Sequence, residues 1–246
     1  MYQPHLRPLG FGEILDGAFV LYRRNFTAFL AMSALPLAPV LACQLLLAAG
    51  GVGDTRAWGL LGIVGGLLTV LATGALIRAT ADAYDGVPVA PRSALATARA
   101  RYWTQLRAVV VARLVTMAGL FLFIVPGIIA AIHYFAVEQA AVLENTTPSE
   151  ARHRSSHLSL GAGARILGMM GVLTVITWLP VVSQLVVVEW LGSEYAESGL
   201  AAVAEQLLQI LALPLTTAAY TLLYFDRRVR ADGMDVQAAM QRMALG

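Results

Sequence analysis

From Phe26 to Ala49 the chain carries no charged side chain, and neither do residues 57–77 or 166–188. Residues 200–225 hold one, Glu205. Runs of this length constrain the fold more than any other feature. About 20 mostly apolar residues cross the hydrocarbon core of a bilayer as a helix, and in lipid the backbone must satisfy its own hydrogen bonds. Only 13% of the 246 residues are charged, against about 25% in ordinary soluble domains. So little charge does not cover a globule of this size with polar surface. The expectation is an all-α, polytopic membrane bundle forming one integral membrane domain over 1–246.

The remaining apolar stretch sets the number of crossings. Arg113 and Glu138 bracket it, with Val125-Pro126-Gly127 near its centre. One helix over 108–143 would be roughly 54 Å long, far beyond a core of about 30 Å. Proline followed by glycine suits positions i+1 and i+2 of a type II turn. The segment therefore predicts a hairpin of two spans, about 107–124 and 128–144, reversing at 125–127, and six spans in all. Charge placement agrees. The chain has no lysine, and with six spans all 17 of its basic residues except Arg56 fall on one side. Arg7, Arg23 and Arg24 precede the first span, and Arg242 lies near the other end. Asp54, Glu189, Glu194 and Glu197 fall on the opposite side. The positive-inside rule makes the arginine-rich side cytoplasmic. Both termini are expected there, in the inner (plasma) membrane of a bacterium. The opening lacks a basic n-region and a clear cleavage pattern, so the first span is expected to be retained.

An amphipathic helix is expected before each hairpin, giving units 10–86, 91–145 and 147–230 with a short tail, 231–246. In the first helix Phe11, Ile14, Leu15, Ala18, Phe19 and Tyr22 share helical spacing, with acids near the start and Arg23 and Arg24 near the end, as the helix dipole favours. Pro91, a favoured first helical residue, opens the second. Thr147, Pro148 and Glu150 form a capping-box pattern at the third. These helices are expected in the headgroup layer, where Arg23, Arg24, Arg99, Arg101, Arg152 and Arg154 meet anionic lipid at about 1 kcal/mol each. The competing arrangement packs them on one another as a cap.

Charges within spans are costly unless compensated. Counted from a turn at 125–127, Arg113 and Glu138 lie at equal heights and are expected to pair. Arg78 and Asp82 are spaced to pair at i,i+4, and His133 extends the polar track beyond Glu138. This cluster reads either as an ion or ligand path or as a clamp between spans. Gly62 and Gly66, with Gly59 before them, are spaced for close helix packing. Pro36, Pro39, Pro180 and Pro214 fall inside spans, where kinks are expected. His153 and His157 lack a metal-site pattern, and flanking arginines oppose a cation. Ser155 and His157 point apart on a helix and make no nucleophile pair. Without lysine there is no standard P-loop. Cys43 is the single cysteine. No catalytic motif, metal site or cofactor site emerges, and nothing points to nucleic acid.

Three segments, "LRPLGFGEILDGAFVLYRRNF", "VPGIIAAIHYFAVEQAAVLENTTPSEARHRSSHLS" and "LLYFDRRVRADGMD", resemble the bacterial glycerophosphoryl diester phosphodiesterase membrane-domain family and its uncharacterised six-span relatives. The resemblance implies the fold and the membrane location. The family's catalytic barrel is absent, so the hydrolase activity is not implied. Glu144 and Ser155 match the polar positions that recur after span four in that family. The functional expectation is a non-enzymatic module binding membrane lipids or a protein partner. The alternative is a transporter or lipid-translocating protein using the cluster at Glu138. A polar cavity reaching Glu138 favours the second, and a closed, paired cluster favours the first.

Overall fold

The computed structural model describes residues 9–51, 55–192 and 199–232. Arg7, Asp54, Glu194, Glu197, Arg242 and residues 233–246 of the proposed tail lie outside the described residues. Among the described residues every regular element is a helix and there is no strand. Its elements are α1 (Phe11–Arg24), α2 (Phe26–Ala49), α3 (Thr55–Tyr84), α4 (Pro91–Leu122), α5 (Ile124–His133), α6 (Val137–Leu143), α7 (Pro148–Ser159), α8 (Gly163–Leu191) and α9 (Leu200–Asp232). Six spans are long and apolar enough to cross a membrane, with α5 and α6 together forming the fourth. Leu46, Ile63, Leu122 and Val175 are among many large apolar side chains that point outwards. Such a surface belongs in lipid and is not tolerated in water. The protein is a multi-pass helical membrane bundle.

Two of the three short helices form as the sequence implies. In α1, Ile14, Ala18 and Leu21 make the buried stripe, and the Glu13 carboxylate accepts the Gly10 backbone N–H at 2.6 Å. Gly17 lets α1 approach α9, since a Cβ there would sit 3.1 Å from the Leu222 side chain. In α7, Thr147 is the N-cap, and Glu150 accepts the Thr147 N–H at 2.7 Å in a capping box. That hydrogen bond holds the Glu150 carboxyl below the usual carboxylate range. The second amphipathic helix is not separate: α4 runs unbroken from Pro91 to Leu122. No breaker lies between Trp103 and the apolar run, so helix propagation simply continues.

The hairpin also differs from expectation. The chain reverses at Phe123, whose backbone is extended, and Val125-Pro126-Gly127 forms the first turn of α5. Gly127 is not among the positive-φ residues, so this is no type II turn. Proline is accommodated because the first N–H groups of a helix lack intrahelical partners anyway. Pro36, Pro39 and Pro214 lie inside continuous helices.

Side chains from α1, α2, α3, α7, α8 and α9 share the main core, which includes Phe29, Met32, Leu76, Leu158, Ile166 and Leu222. The span α9 is the most buried and α8 the least. The buried faces of α1 and α7 meet protein rather than lipid. The two helices pack mainly on the spans, α1 on α9 and α7 on α6, and not on one another as a cap, so for those faces neither expected arrangement holds. The physical reason is that α7 must bury Ala151, Ser155 and Leu158 against the chain itself. On its outer side α1 still exposes Phe19 and Val20, beside exposed Arg23 and Arg24.

Candidate functional site

Span four is broken. After α5 ends at His133, residues 134–136 leave the helix before α6 starts at Val137. A break exposes backbone groups that lipid does not satisfy, and Ser155 of α7 repairs it. The Ser155 hydroxyl donates to the His133 carbonyl at 2.8 Å and accepts the Ala136 N–H at 3.0 Å. Ser155 is fully buried. Replacing it with alanine is expected to cost about 1–3 kcal/mol, because two backbone groups are left unmet. Thermal unfolding in detergent against wild type measures this.

The break turns Glu138 towards a cavity of about 580 Å³. Its walls come from α3, α4, the α5–α6 span, α8 and α9. Glu138 is its one carboxylate and Arg113 its one guanidinium. Hydroxyls line it at Thr69, Thr73, Thr116, Thr177, Thr216 and Thr217, and Tyr134 and Tyr220 add aromatic rings. Arg113 Nη2 lies 3.8 Å from Glu138 Oε1, and its side chain is 75% exposed. Gln105, fully buried, donates through Nε2 to Glu138 Oε2 at 3.3 Å. Gly74 makes room for Gln105, since a Cβ there would meet its Oε1 at 2.5 Å. Gln139, 4% exposed, lines the cavity with Oε1 buried and without a hydrogen-bond partner.

The cavity opens sideways. The lining residues that are exposed are Gly66, Arg113, Met117, Thr177 and Gln209. All lie within spans rather than at helix ends. The accessible part of its lining therefore lies along the flanks of the spans.

Of the cluster expected from the sequence, the structure brings Arg113 and Glu138 together. Arg78 and Asp82 form their own i,i+4 pair at 2.6 Å and do not line the cavity. Asp85, one residue past α3, is pushed above the usual carboxylate range by burial, against the opposing pull of Arg78. His133 is absent from the lining; it offers its carbonyl to Ser155 instead. The polar track past Glu138 runs through threonines and Tyr220. Sequence reasoning passed over these because uncharged polar residues hide within apolar runs. Their i,i+4 spacing, as in Thr69 and Thr73 or Thr216 and Tyr220, is the signal that marks one face.

The expected headgroup arginines divide. Arg23, Arg24 and Arg99 are exposed, and Arg152 is half-buried. Arg101 turns inward, with Nη2 buried and without a hydrogen-bond partner. Arg154 also turns inward, reaching Asp232 at 2.5 Å and Glu144 at 2.9 Å. The Asp232 hydrogen bond, aided by Glu144, outweighs burial and raises the pKa of Arg154. The Tyr224 hydroxyl donates to the same Glu144 at 2.6 Å. Glu144 thus ties α7 to α9, as Ser155 ties α7 to span four. Gly59, Gly62 and Gly66 pack against no neighbouring helix: a Cβ at any of them would meet nothing within 4 Å. Among the described residues no group of His, Cys, Asp and Glu is placed to hold a metal ion. Comparison of the chain with protein-family models, curated proteins and solved structures finds no match.

Proposed function

We propose that the protein is a non-enzymatic carrier that binds an amphiphile and passes it through the membrane. The polar end enters the cavity at Glu138 while the apolar part stays in the bilayer. The observation that carries this reading is a cavity, mostly apolar in its walls but holding Glu138, whose exposed lining residues all lie within spans. A water-soluble substrate calls for a mouth at a helix end. A lipid-like one enters sideways. An intramembrane carboxylate is expensive and marks a functional position by default. The arginine bias supports a six-span orientation with both ends in the cytoplasm of a bacterium. Exposed Arg23, Arg24 and Arg99 are suited to anionic headgroups. The resemblance to the glycerophosphoryl diester phosphodiesterase membrane-domain family belongs to this reading through its fold, without hydrolysis.

A module that holds the same molecule without moving it is the second reading. The Arg113–Glu138 ion pair favours it, because it clamps α4 to α6. Reconstitution separates the two. Vesicles holding the full chain are assayed for transbilayer transfer of lipids labelled on the acyl chain. Wild type is expected to transfer well above protein-free vesicles. Glu138→Gln is expected to lower the rate about tenfold, the equivalent of one charge-assisted hydrogen bond. If wild type transfers nothing, and the Arg113→Gln/Glu138→Gln double variant recovers stability lost in each single one, the pair is a clamp and translocation is wrong.

A further inference from the structure

Resting on the cavity as an amphiphile site, we infer that its ligand is an anionic phospholipid, guided down a file of arginines on α4 and received at its phosphate by Arg113. Elsewhere Arg78, Arg154, Arg165, Arg228 and Arg230 are each held by a carboxylate. On α4, Arg92, Arg99 and Arg107 are exposed and have no ion-pair partner among the described residues. Seven residues make close to two helical turns, so Arg92, Arg99 and Arg113 share one face. Leu106 fills the remaining place in that series, and Arg107 stands beside it. Trp103, 65% exposed, lies one turn from Arg99 and one from Arg107.

The file descends through the membrane. With 32 residues, α4 is about 48 Å long, against a hydrocarbon core of about 30 Å. Counted back from Leu122, about 20 residues of core end near Trp103, and an indole ring suits that interface. Arg92 and Arg99 then stand in the headgroup layer on the arginine-rich side. Arg107 lies one turn deeper, and Arg113 about 15 Å below Trp103. Val110 and Met117 are exposed eighteen residues, five whole turns, beyond Arg92 and Arg99. They give acyl chains an apolar track on the same face as the arginines.

Arg113 is placed to change partners. Its 3.8 Å contact with Glu138 is an attraction of charges without a hydrogen bond. Its side chain is three-quarters exposed and lines the cavity. When the guanidinium turns away, the carboxylate keeps Gln105 as a donor. Guanidinium and phosphate form bidentate, charge-assisted pairs, which are stronger than an ion pair held at this distance. A phosphate arriving along α4 therefore takes Arg113 from Glu138, and Glu138 competes to drive it off again. A headgroup of net negative charge suits this route. A zwitterionic one carries an ammonium that the arginines repel.

The test uses the full chain in nanodiscs of phosphatidylcholine doped equally with phosphatidylglycerol and phosphatidylethanolamine. Bound lipid is read by native mass spectrometry, and transfer of each labelled lipid is read in matched vesicles. Phosphatidylglycerol is expected to be retained about tenfold over phosphatidylethanolamine, the equivalent of one charge-assisted hydrogen bond. Arg113→Gln is expected to remove that preference; a preference left intact overturns Arg113 as the receiver. Glu138→Gln is expected to raise phosphatidylglycerol retention about tenfold while slowing its transfer, because the competing anion is gone. A fall in retention would mean that Glu138 steadies Arg113 for the headgroup, and the exchange is wrong. The Arg92→Gln/Arg99→Gln/Arg107→Gln variant is expected to lower retention and transfer of phosphatidylglycerol at least about fivefold, with phosphatidylethanolamine unchanged. No change there overturns the file of arginines. Those three side chains are exposed and unpaired, so this variant keeps the test decisive if Arg113→Gln fails to fold. Circular dichroism and a monodisperse elution profile check each variant. Soluble glycerol phosphate, added as competitor, is expected to displace little, because the acyl chains anchor the ligand; full displacement would overturn the lipid as the source. Equal retention of the two doped lipids overturns the ligand, and continued transfer in that case leaves the carrier reading standing. Selective retention without transfer upholds the ligand and removes translocation. Neither retention nor transfer overturns both.

Discussion

Replacing Asp226 with alanine is expected to destabilise the protein by about 3–5 kcal/mol, the loss that follows when one partner of a buried ionic group is removed. The Asp226 side chain is fully buried on α9. Its carboxylate accepts the Leu9 N–H at 2.8 Å. It also pairs with Arg230 at 2.9 Å and with Arg165 of α8 at 3.2 Å. Both arginines donate in turn to the Leu9 carbonyl, Arg230 at 3.1 Å. The circuit closes on itself and pins the start of α1 to two spans. One turn face along, Arg227 donates to the carbonyls of Leu158 and Leu160 at 2.9 and 3.2 Å and fixes the end of α7. Alanine at 226 strands two guanidinium groups and a backbone N–H. Asparagine keeps one acceptor for Leu9 but no charge, so Asp226→Asn is expected to lose less. Thermal unfolding in detergent gives both values. A loss for Asp226→Ala below about 1 kcal/mol would mean that the arginines are as well satisfied by water and headgroups, as for exposed ion pairs.

The Asp226 circuit was not legible in the sequence, although every residue in it is conspicuous. Arg165, Asp226 and Arg230 are separated along the chain, and only the packing of α1 and α8 on α9 brings them together. What was legible depends on short-range physics. The spans follow from uncharged runs, and α7 follows from Thr147 and Glu150, whose capping box forms as read. The polarity of α1 follows from its stripe. The reversal in the fourth span was misplaced because proline and glycine suit a tight turn and also the first turn of a helix. The sequence does not say which, since the deciding contact lies across the hairpin. The Arg113–Glu138 pair was anticipated from equal heights about the wrong pivot. From Phe123, Arg113 lies ten residues back and Glu138 fifteen on. The long arginine side chain reaches over the difference, and the contact stays loose at 3.8 Å. The cavity itself is invisible in the sequence, because apart from Arg113 and Glu138 its polar lining is threonines, glutamines and tyrosines, which do not interrupt an apolar run.

Gly119 and Gly127 are expected to be the least replaceable glycines within the spans, and Gly62 and Gly66 among the most tolerant. A Cβ on Gly119 would lie 2.9 Å from both the Cα and the N of Gly127. A Cβ on Gly127 would lie 2.6 Å from the Leu120 backbone N and would strike the Leu120 side chain as well. Backbone is in contact with backbone there, so no flexible side chain moves aside, and α4 and α5 must separate. Overpacking of this kind costs about 1–3 kcal/mol, and more where the neighbours are rigid. Gly119→Val and Gly127→Leu are therefore expected to cost at least about 3 kcal/mol each. Because α4 carries Arg113 and the α5–α6 span carries Glu138, splaying the hairpin also moves the two charges apart. Lipid transfer is expected to fall in whatever fraction remains folded. Gly62→Ala is expected to do neither, and Gly66→Ala, at the cavity lining, to leave stability unharmed, since nothing lies within 4 Å of the added atom. Better helix propensity is expected to stabilise each by up to about 1 kcal/mol. Thermal unfolding of the four variants in one detergent ranks them. If Gly62→Ala or Gly66→Ala is the more damaging, the α3 glycines face a second polypeptide, and the helix crossing that shapes the site lies there instead of at the tip of the α4–α5 hairpin.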